Sequence, residues 1–201
     1  MKILKIWGDE LGERQLQETS RDLKDGRILI APTDTLYAIM CDALSAKAVE
    51  AVCRLKSINP EKSNLSIICS DISMAAEYAI FNNATFKLLK QLTPGPYTFL
   101  CRAAHSLPSA FKRRKIVGIR IPDFTADRQL AEVLGNPVLT TSIQYSDYDY
   151  AINPELIEDA YNNKVDIMIQ GPDGNLVPST IIDCTGPDFQ IVREGAGEVN
   201  F

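Results

Sequence analysis

Apolar and amphipathic segments alternate along the chain, and their two periods predict two kinds of element. Short apolar runs predict buried β-strands at 3–7, 27–31, 65–69, 97–102, 117–121, 138–143, 165–170, 180–184 and 190–193. Apolar residues spaced three and four apart predict helices at 12–25, 45–57, 72–79, 83–92 and 124–134. A further helix begins after Asn153, which suits an N-cap, and has Pro154 in its first turn.

The order of these elements predicts the fold class. Strands alternate with helices at first and then cluster near the end of the chain, which favours a twisted, mixed β-sheet flanked by helices. Asp123 is the expected N-cap of the helix at 124–134, and Gly135 is its expected stop. We therefore expect an α/β fold in one domain spanning residues 1–201, with no additional C-terminal domain.

Composition favours a cytoplasmic protein with a reduced interior. The 201 residues are 45% hydrophobic, which is enough for one sizeable core. The five cysteines are odd in number, scattered and without a C-x-x-C pair, which is typical of buried thiols in a reducing compartment. No apolar stretch has the form of a signal peptide or the length of a membrane span.

Charge and histidine content narrow the chemistry. A net charge of −5 is unlike that of a general nucleic-acid binder. The one basic run, Lys112-Arg113-Arg114-Lys115, has three interpretations: a solvated face, the positive rim of an anion-binding cleft, or a patch for RNA backbone. Because His105 is the only histidine, a Ser-His-Asp triad or a two-histidine metal site is not expected, and no metal ligands are assigned.

The segment at 27–37 is the first candidate site. An apolar strand stops at Pro32, and Thr33, Asp34, Thr35 and Tyr37 follow at its C-terminal edge. In open α/β sheets this edge is where loops converge and ligands bind. The other interpretation is a Pro-Thr-Asp turn that caps a helix.

Two cations fall where apolar residues are expected. Lys56 continues the buried stripe of the helix at 45–57, so it either extends to solvent or meets an anion such as a phosphate. Arg120 lies inside an apolar strand, between a glycine and a proline, and its guanidinium suits a carboxylate or phosphate. An exposed arginine on a strand is the alternative.

Hydroxyl groups gather at further strand ends. Thr140 and Ser142 end one strand, Ser179 precedes another, and Arg193 ends the last. With two or three cations and no catalytic His or Cys, this set suits anionic substrates, bound by positioning and charge neutralisation. The usual phosphate-loop and dinucleotide motifs are missing from the sequence.

Six segments in one order resemble the YrdC/YciO family and cover nearly the whole chain. Because of the basic run before the third segment, the chain most resembles the YciO branch of the family. The segments are Pro-Thr-Asp-Thr-Leu-Tyr at 32–37, Thr-Pro-Gly-Pro-Tyr-Thr at 93–98, Val-Gly-Ile-Arg-Ile-Pro at 117–122, Thr-Thr-Ser at 140–142, Pro-Ser-Thr at 178–180 and Val-Arg-Glu-Gly at 192–195.

The resemblance implies a fold, an activity and a set of ligands. It implies a twisted sheet around a concave, positively charged cleft. The characterised enzymes are threonylcarbamoyl-AMP synthases, nucleotidyltransferase-type enzymes that use L-threonine, bicarbonate and ATP with Mg²⁺ and release pyrophosphate. Their product feeds the threonylcarbamoyladenosine modification of tRNA. Members have also been described as binding double-stranded RNA.

The resemblance also implies residue roles. Thr33, Tyr37 and Arg120 would hold threonine, with Arg120 on its carboxylate. The residues expected to face ATP or to complete the lining are Lys56, Ser142 and Arg193, and Thr98, Thr140 and Ser179. Lys56 and Arg120 are the expected catalytic residues.

Two departures from the family pattern put turnover in question. The synthases carry Lys-x-Arg where this chain reads Lys56-Ser57-Ile58, and Ser-x-Asn where it reads Ser142-Ile143-Gln144. Losing a cation from a phosphate clamp costs several kcal/mol of transition-state stabilisation. The alternatives are a non-catalytic module that binds double-stranded RNA, tRNA or the ribosome through the same cleft, with residues 112–115 as an extra contact, and an enzyme for another amino acid or nucleotide.

Overall fold

One mixed β-sheet forms the centre of the molecule. The structure, a computed structural model, describes residues 1–59, 65–108, 111, 114–143 and 152–199. Its strands are Lys2–Lys5 (β1), Leu29–Ala31 (β2), Ala38–Asp42 (β3), Ser66–Ile68 (β4), Ala79–Ile80 (β5), Tyr97–Ala103 (β6), Ile116–Arg120 (β7), Val138–Ser142 (β8), Ile167–Gln170 (β9), Thr180–Asp183 (β10) and Gln190–Arg193 (β11).

The strand order confirms the expected mixed sheet. It runs β1-β9-β2-β3-β8-β4-β7-β6-β10-β11, and β5 pairs with β6. The pairs β1/β9, β2/β9, β4/β7 and β6/β10 are parallel. The other pairs are antiparallel, among them β3/β8 and β6/β7 at the centre. Neighbours in this order are often distant in sequence, so side chains far apart along the chain come together.

Six helices pack on the two faces of the sheet within the described residues. They are Glu13–Lys24 (α1), Ala46–Leu55 (α2), Ile72–Tyr78 (α3), Asn83–Leu92 (α4), Thr125–Leu134 (α5) and Pro154–Tyr161 (α6). Leu16 and Leu23 of α1 share one apolar cluster with Leu130 of α5. Val52 of α2 and Ile157 of α6 belong to the larger cluster on the opposite face. None of these described helices is long and apolar enough to cross a bilayer.

Local capping explains most helix ends and corrects one prediction. Asn153 caps α6 by accepting from Glu155 N, and Gly135 ends α5 at φ +77°, both as expected. The prediction that Asp123 caps α5 is wrong, because the N-cap is Phe124, which makes no side-chain cap bond. Asp9, from the loop after β1, accepts from Thr125 N and Oγ1 instead, and this bond lowers the pKa of Asp9.

The sequence analysis missed strand β3. Its five residues, Ala38–Asp42, are all buried and lie at the centre of the sheet between β2 and β8. A strand that is buried on both faces has no alternation of polar and apolar residues to mark it. The short strand β5 was also missed.

Candidate functional site

The helices that the structure describes leave part of one face of the sheet uncovered, and the site lies there. Successive strand residues point to opposite faces, so Phe99, Ile119 and Ile182 enter the larger apolar cluster. Thr98 and Arg120, next to them on β6 and β7, therefore face the other way. The helices on that side, α1 and α5, pack mainly on β1, β9, β2 and β3. The polar side chains of the central strands are left lining a cavity.

This cavity gathers six of the nine predicted substrate-binding residues. Its volume is about 170 Å³, which is smaller than a site for a drug-sized ligand and suits a small amino acid. The predicted residues along its wall are Thr98, Arg120, Thr140, Ser142, Ser179 and Arg193. The other lining residues are Thr35, Leu36, Ala38, Ser66, Thr141, Pro178 and Ile181.

Arg120 is the buried cation of the cavity, and it is held by an acidic residue. Its Nη2 donates to Asp34 Oδ1 at 2.5 Å and to Thr35 Oγ1 at 3.2 Å. The side chains of Arg120 and Asp34 are only 8% and 6% exposed. The second oxygen of Asp34 accepts from Asp123 N at 2.9 Å. The turn after β2 thus fixes both the guanidinium and the start of the segment that leads into α5.

Two groups in the cavity wall lack a hydrogen-bond partner among the described residues. They are Nε of Arg120 and Oγ1 of Thr140. Both residues are more than nine-tenths buried, and unsatisfied buried polar atoms are costly in native proteins. A ligand with oxygen acceptors that enters the cavity would satisfy both atoms.

A second polar group in the cavity wall comes from β6, the start of β10 and β11. Thr98 Oγ1 and Ser179 Oγ lie 2.8 Å apart. Arg193 donates to Ser179 O from Nη2 at 2.7 Å and from Nε at 3.1 Å. The cavity lining therefore includes two arginines, and the positive charge expected of the cleft stays a prediction, because Asp34 neutralises Arg120.

Two glycines let backbone segments approach closely at this site. A Cβ on Gly118 would collide with Ser66 Oγ, so only a glycine at this position leaves room for the Ser66 side chain. A Cβ on Gly195 would collide with the backbone of Pro178 and Ser179. Gly195 N also donates to Thr180 Oγ1 at 3.0 Å. The segment after β11 therefore presses directly on the strand start that carries Ser179.

Three predicted residues lie outside the cavity lining. Thr33 turns its hydroxyl into its own loop, where Oγ1 donates to Leu36 O and accepts from Thr35 N. Tyr37 is fully buried, its hydroxyl donates to Pro172 O and accepts from Gly171 N, and burial raises its pKa to about 12. These two residues shape the loop that carries Asp34 and Thr35. Their expected role as threonine contacts stays a prediction.

Lys56 is the third predicted residue outside the lining. It is 9% exposed, and its Nζ donates to the carbonyl oxygen of Ser142. Burial lowers the pKa of Lys56. The ammonium thus meets a backbone carbonyl at the edge of the cavity, which neither interpretation of the sequence had included. A phosphate contact stays a prediction.

Ile58 occupies the Lys-x-Arg arginine position and has a structural role here. Ser57 N donates to Arg54 O, Ile58 N donates to Cys53 O, and Ser57 has φ +52°. This is a Schellman motif, in which the residue after the left-handed one makes an apolar contact. Ile58 packs against the larger apolar cluster. Gln144 of the second departure lies outside the described residues.

The described part of the basic run lies away from the cavity. Lys115 precedes β7 and Arg120 ends it, so the two are roughly 16 Å apart along the strand. Arg114 and Lys115 line a separate groove of about 940 Å³ at the opposite end of β6 and β7. The interpretation of the basic run as the rim of an anion-binding cleft therefore stays a prediction, and it concerns this separate groove. Lys112 and Arg113 lie outside the described residues.

Sequence reasoning gave no role to four residues that shape the site. Asp34 and Thr35 were recognised only as part of a polar turn, and Ser66 lies on an apolar strand with no signal beyond its own polarity. Asp127 of α5 is 1% exposed, and neither of its carboxylate oxygens has a hydrogen-bond partner among the described residues. Its spacing from Leu130, Ala131 and Leu134 places it on the buried stripe of α5, a signal that the sequence analysis used for Lys56 but not for this residue.

Comparison with known proteins decides the family. A family model named for Sua5, YciO and YrdC, and described as "Telomere recombination", matches residues 21–195. The chain belongs to this family. It is 32% identical over 197 residues to YciO of Escherichia coli, covering 96% of this chain and 95% of YciO. The predicted family and the similarity to YciO are confirmed.

One further relative of this YciO-like chain is a synthase, and two solved structures share its fold. Threonylcarbamoyl-AMP synthase of Bos taurus is 30% identical over 188 residues, which cover 90% of this chain and 67% of the synthase. The structure of E. coli YciO superimposes with a TM-score of 0.88, covering 98% of both chains. Sua5 of P. abyssi, solved with L-threonine, shares the fold at 21% identity, with a TM-score of 0.87 over 97% of this chain and 58% of Sua5.

Proposed function

We propose that this protein makes threonylcarbamoyl-adenylate from L-threonine, bicarbonate and ATP, with release of pyrophosphate, for the modification of tRNA. The observation that carries the proposal is the cavity built around Arg120, which brings together six residues from five separate parts of the chain. Relatives named as threonylcarbamoyl-AMP synthases support the same reaction. A related fold that binds L-threonine, in Sua5, supports the choice of amino acid.

The reaction needs positioning and charge neutralisation more than proton transfer by the protein. The amine of threonine attacks the carbon of bicarbonate, water leaves, and a carbamate forms. A carbamate oxygen then attacks the α-phosphorus of ATP, and the bond from that phosphorus to the bridging oxygen breaks to release pyrophosphate. Cations and hydroxyls near the phosphates stabilise the charge that develops.

In this proposal Arg120 binds the carboxylate of threonine. Its guanidinium already has one donor on Asp34, and its unpartnered Nε offers another. Thr140, with an unpartnered Oγ1, lies on the same wall. Arg193 and Ser179 are hydrogen-bonded to each other in the same lining, and they would face the phosphates of ATP. Because a cavity of about 170 Å³ suits a small amino acid, the nucleotide would extend from it toward solvent.

Mg²⁺ would come with ATP. The described lining residues offer hydroxyls and two arginines but no carboxylate, and no described cluster of acidic, cysteine or histidine side chains suits a metal ion. Mg²⁺ is commonly held through substrate phosphates and water. Bound in that way, it would neutralise phosphate charge, while the protein would hold threonine and the outer phosphates.

Pyrophosphate release tests the proposal. We expect release from ATP, Mg²⁺ and bicarbonate only when L-threonine is present, and we expect Arg120→Gln to remove it. Arg54→Gln is the matched control, because the Arg54 side chain is 71% exposed on α2 and pairs only with Glu50 among the described residues. The proposal fails if the wild-type protein shows no threonine-dependent release.

The separate basic groove favours a second candidate, contact with double-stranded RNA or tRNA. Four basic residues line this groove, and no aspartate or glutamate of the described chain does so. They are Arg102, His105, Arg114 and Lys115. A cluster of this kind in a chain of net charge −5 suits a phosphate backbone.

Salt dependence of RNA affinity tests this second candidate. We expect affinity for a short RNA duplex to fall as the salt concentration rises. Arg102→Ala and Lys115→Ala should bind more weakly than the wild type and lose less affinity as salt rises. Arg14→Ala is the control, because its side chain is 91% exposed on α1. Affinity that is absent, or that changes equally in all three variants, would exclude the groove as the RNA contact.

A further inference from the structure

Behind Arg120 lies a buried acid that the proposed reaction does not use. Asp127 is in the first turn of α5, seven residues after Arg120, and is 1% exposed. Both of its carboxylate oxygens, like Nε of Arg120, lack a hydrogen-bond partner among the described residues. An ionised carboxylate so deeply buried normally has an ion-pair or hydrogen-bond partner, since its desolvation is otherwise very costly.

The charges around Asp127 come from three directions. The charged groups that act on it are Arg120 of β7, Asp34 of the turn after β2, and Arg128 of the same helix. The face of α1 that packs nearby is apolar or carries hydroxyls, with Leu16, Thr19, Ser20 and Leu23 buried. Burial raises the pKa of Asp127 well above its ordinary value, Arg120 offsets part of this rise, and Asp34 adds to it.

We propose that Asp127 is a positioning residue that stays protonated, and that its ionisation closes the cavity to the carboxylate of the substrate. This inference rests on the proposed role of Arg120 as the carboxylate group of the site. With Asp127 neutral, Asp34 and Arg120 cancel and one donor of Arg120 remains for the ligand. With Asp127 ionised, Asp34, Arg120 and Asp127 together carry a net negative charge, because the charge of Arg128 is paired with Asp123, and an entering anion is repelled.

The test follows L-threonine affinity against pH by calorimetry, in the wild-type protein and in Asp127→Asn. We expect wild-type affinity to fall about tenfold per pH unit once Asp127 ionises, because only the protonated fraction binds. Asp127→Asn cannot ionise, so it should bind more tightly than the wild type at high pH. The amide is close in size to the acid, and threonine itself titrates equally in both measurements.

Carbon-13 NMR of labelled aspartate locates the ionisation of Asp127 without any ligand. A raised midpoint that coincides with the loss of threonine affinity supports the inference. An ordinary aspartate midpoint overturns it, and so does an Asp127→Asn profile that falls in step with the wild type. If the wild-type protein binds no threonine at any pH, the proposed function fails, and the NMR midpoint alone decides the protonation of Asp127.

Discussion

Removing Asp34 tests how strongly the buried ion pair supports the site. Asp34→Ala would leave Arg120 only 8% exposed and without its carboxylate partner, which lies 2.5 Å away in the wild type. Breaking a buried pair by removing one partner costs about 3–5 kcal/mol. Because water can enter the cavity beside Arg120, we expect the lower end, about 3 kcal/mol. For a chain of this length that corresponds to a melting temperature lower by roughly 6–12 °C.

Thermal unfolding of three variants gives the comparison. Glu50→Ala is the control, because it breaks the pair Glu50–Arg54, whose side chains are 58% and 71% exposed and 4.0 Å apart. Such a pair contributes about 0.5 kcal/mol or less. An Asp34→Ala, Arg120→Met double variant leaves no unpaired charge, so it should be more stable than Asp34→Ala alone. The reasoning is refuted if Asp34→Ala destabilises no more than Glu50→Ala.

Three further predictions concern stability and the cavity wall. Ser57→Gly should raise the free energy of unfolding in urea by about 1 kcal/mol, because Ser57 has φ +52°; no change would contradict the strain assigned to it. Gly195→Ala should lower both melting temperature and threonine-dependent activity, since the methyl group collides with the backbone of Pro178 and Ser179; normal activity would show that the wall tolerates it. Asp127→Asn should gain stability over the wild type as pH rises from the ordinary aspartate pKa toward the raised one, by at most about 1.4 kcal/mol per pH unit. The folded wild type holds its proton longer than the unfolded chain in that window, and a constant difference in urea titrations would argue against it.

Sequence patterns predicted most strands and helices because each carries a local signal. Asn153 and Gly135 marked helix ends through the bonds and backbone angles that those residues favour. Strand β3 lies in an apolar run, residues 36–41, that carries the signal of a buried strand, and the sequence analysis overlooked it. The cap of α5 was out of reach, because Asp9 is supplied from more than a hundred residues away.

The sequence predicted most residues of the candidate site but few of the hydrogen bonds and ion pairs between them. Polar residues at strand ends pointed to six of the lining residues, and the sheet order brought them together. The partner of Arg120 could not be read from the sequence, because Asp34 lies 86 residues away and pairs across the sheet. Lys56 was recognised as a cation on a buried face, but its carbonyl partner on β8 depends on tertiary packing.

Detection of the product tests the proposed synthase activity most directly. The protein would be incubated with ATP, Mg²⁺, L-threonine and ¹³C-labelled bicarbonate, and the adenylates would be identified by mass spectrometry. We expect a threonylcarbamoyl-adenylate that carries the ¹³C label. It should be lost in Arg120→Gln but kept in Arg54→Gln. Threonine binding at Arg120 without any labelled adenylate would contradict the proposed synthase activity. The cavity would then bind an amino acid without activating it.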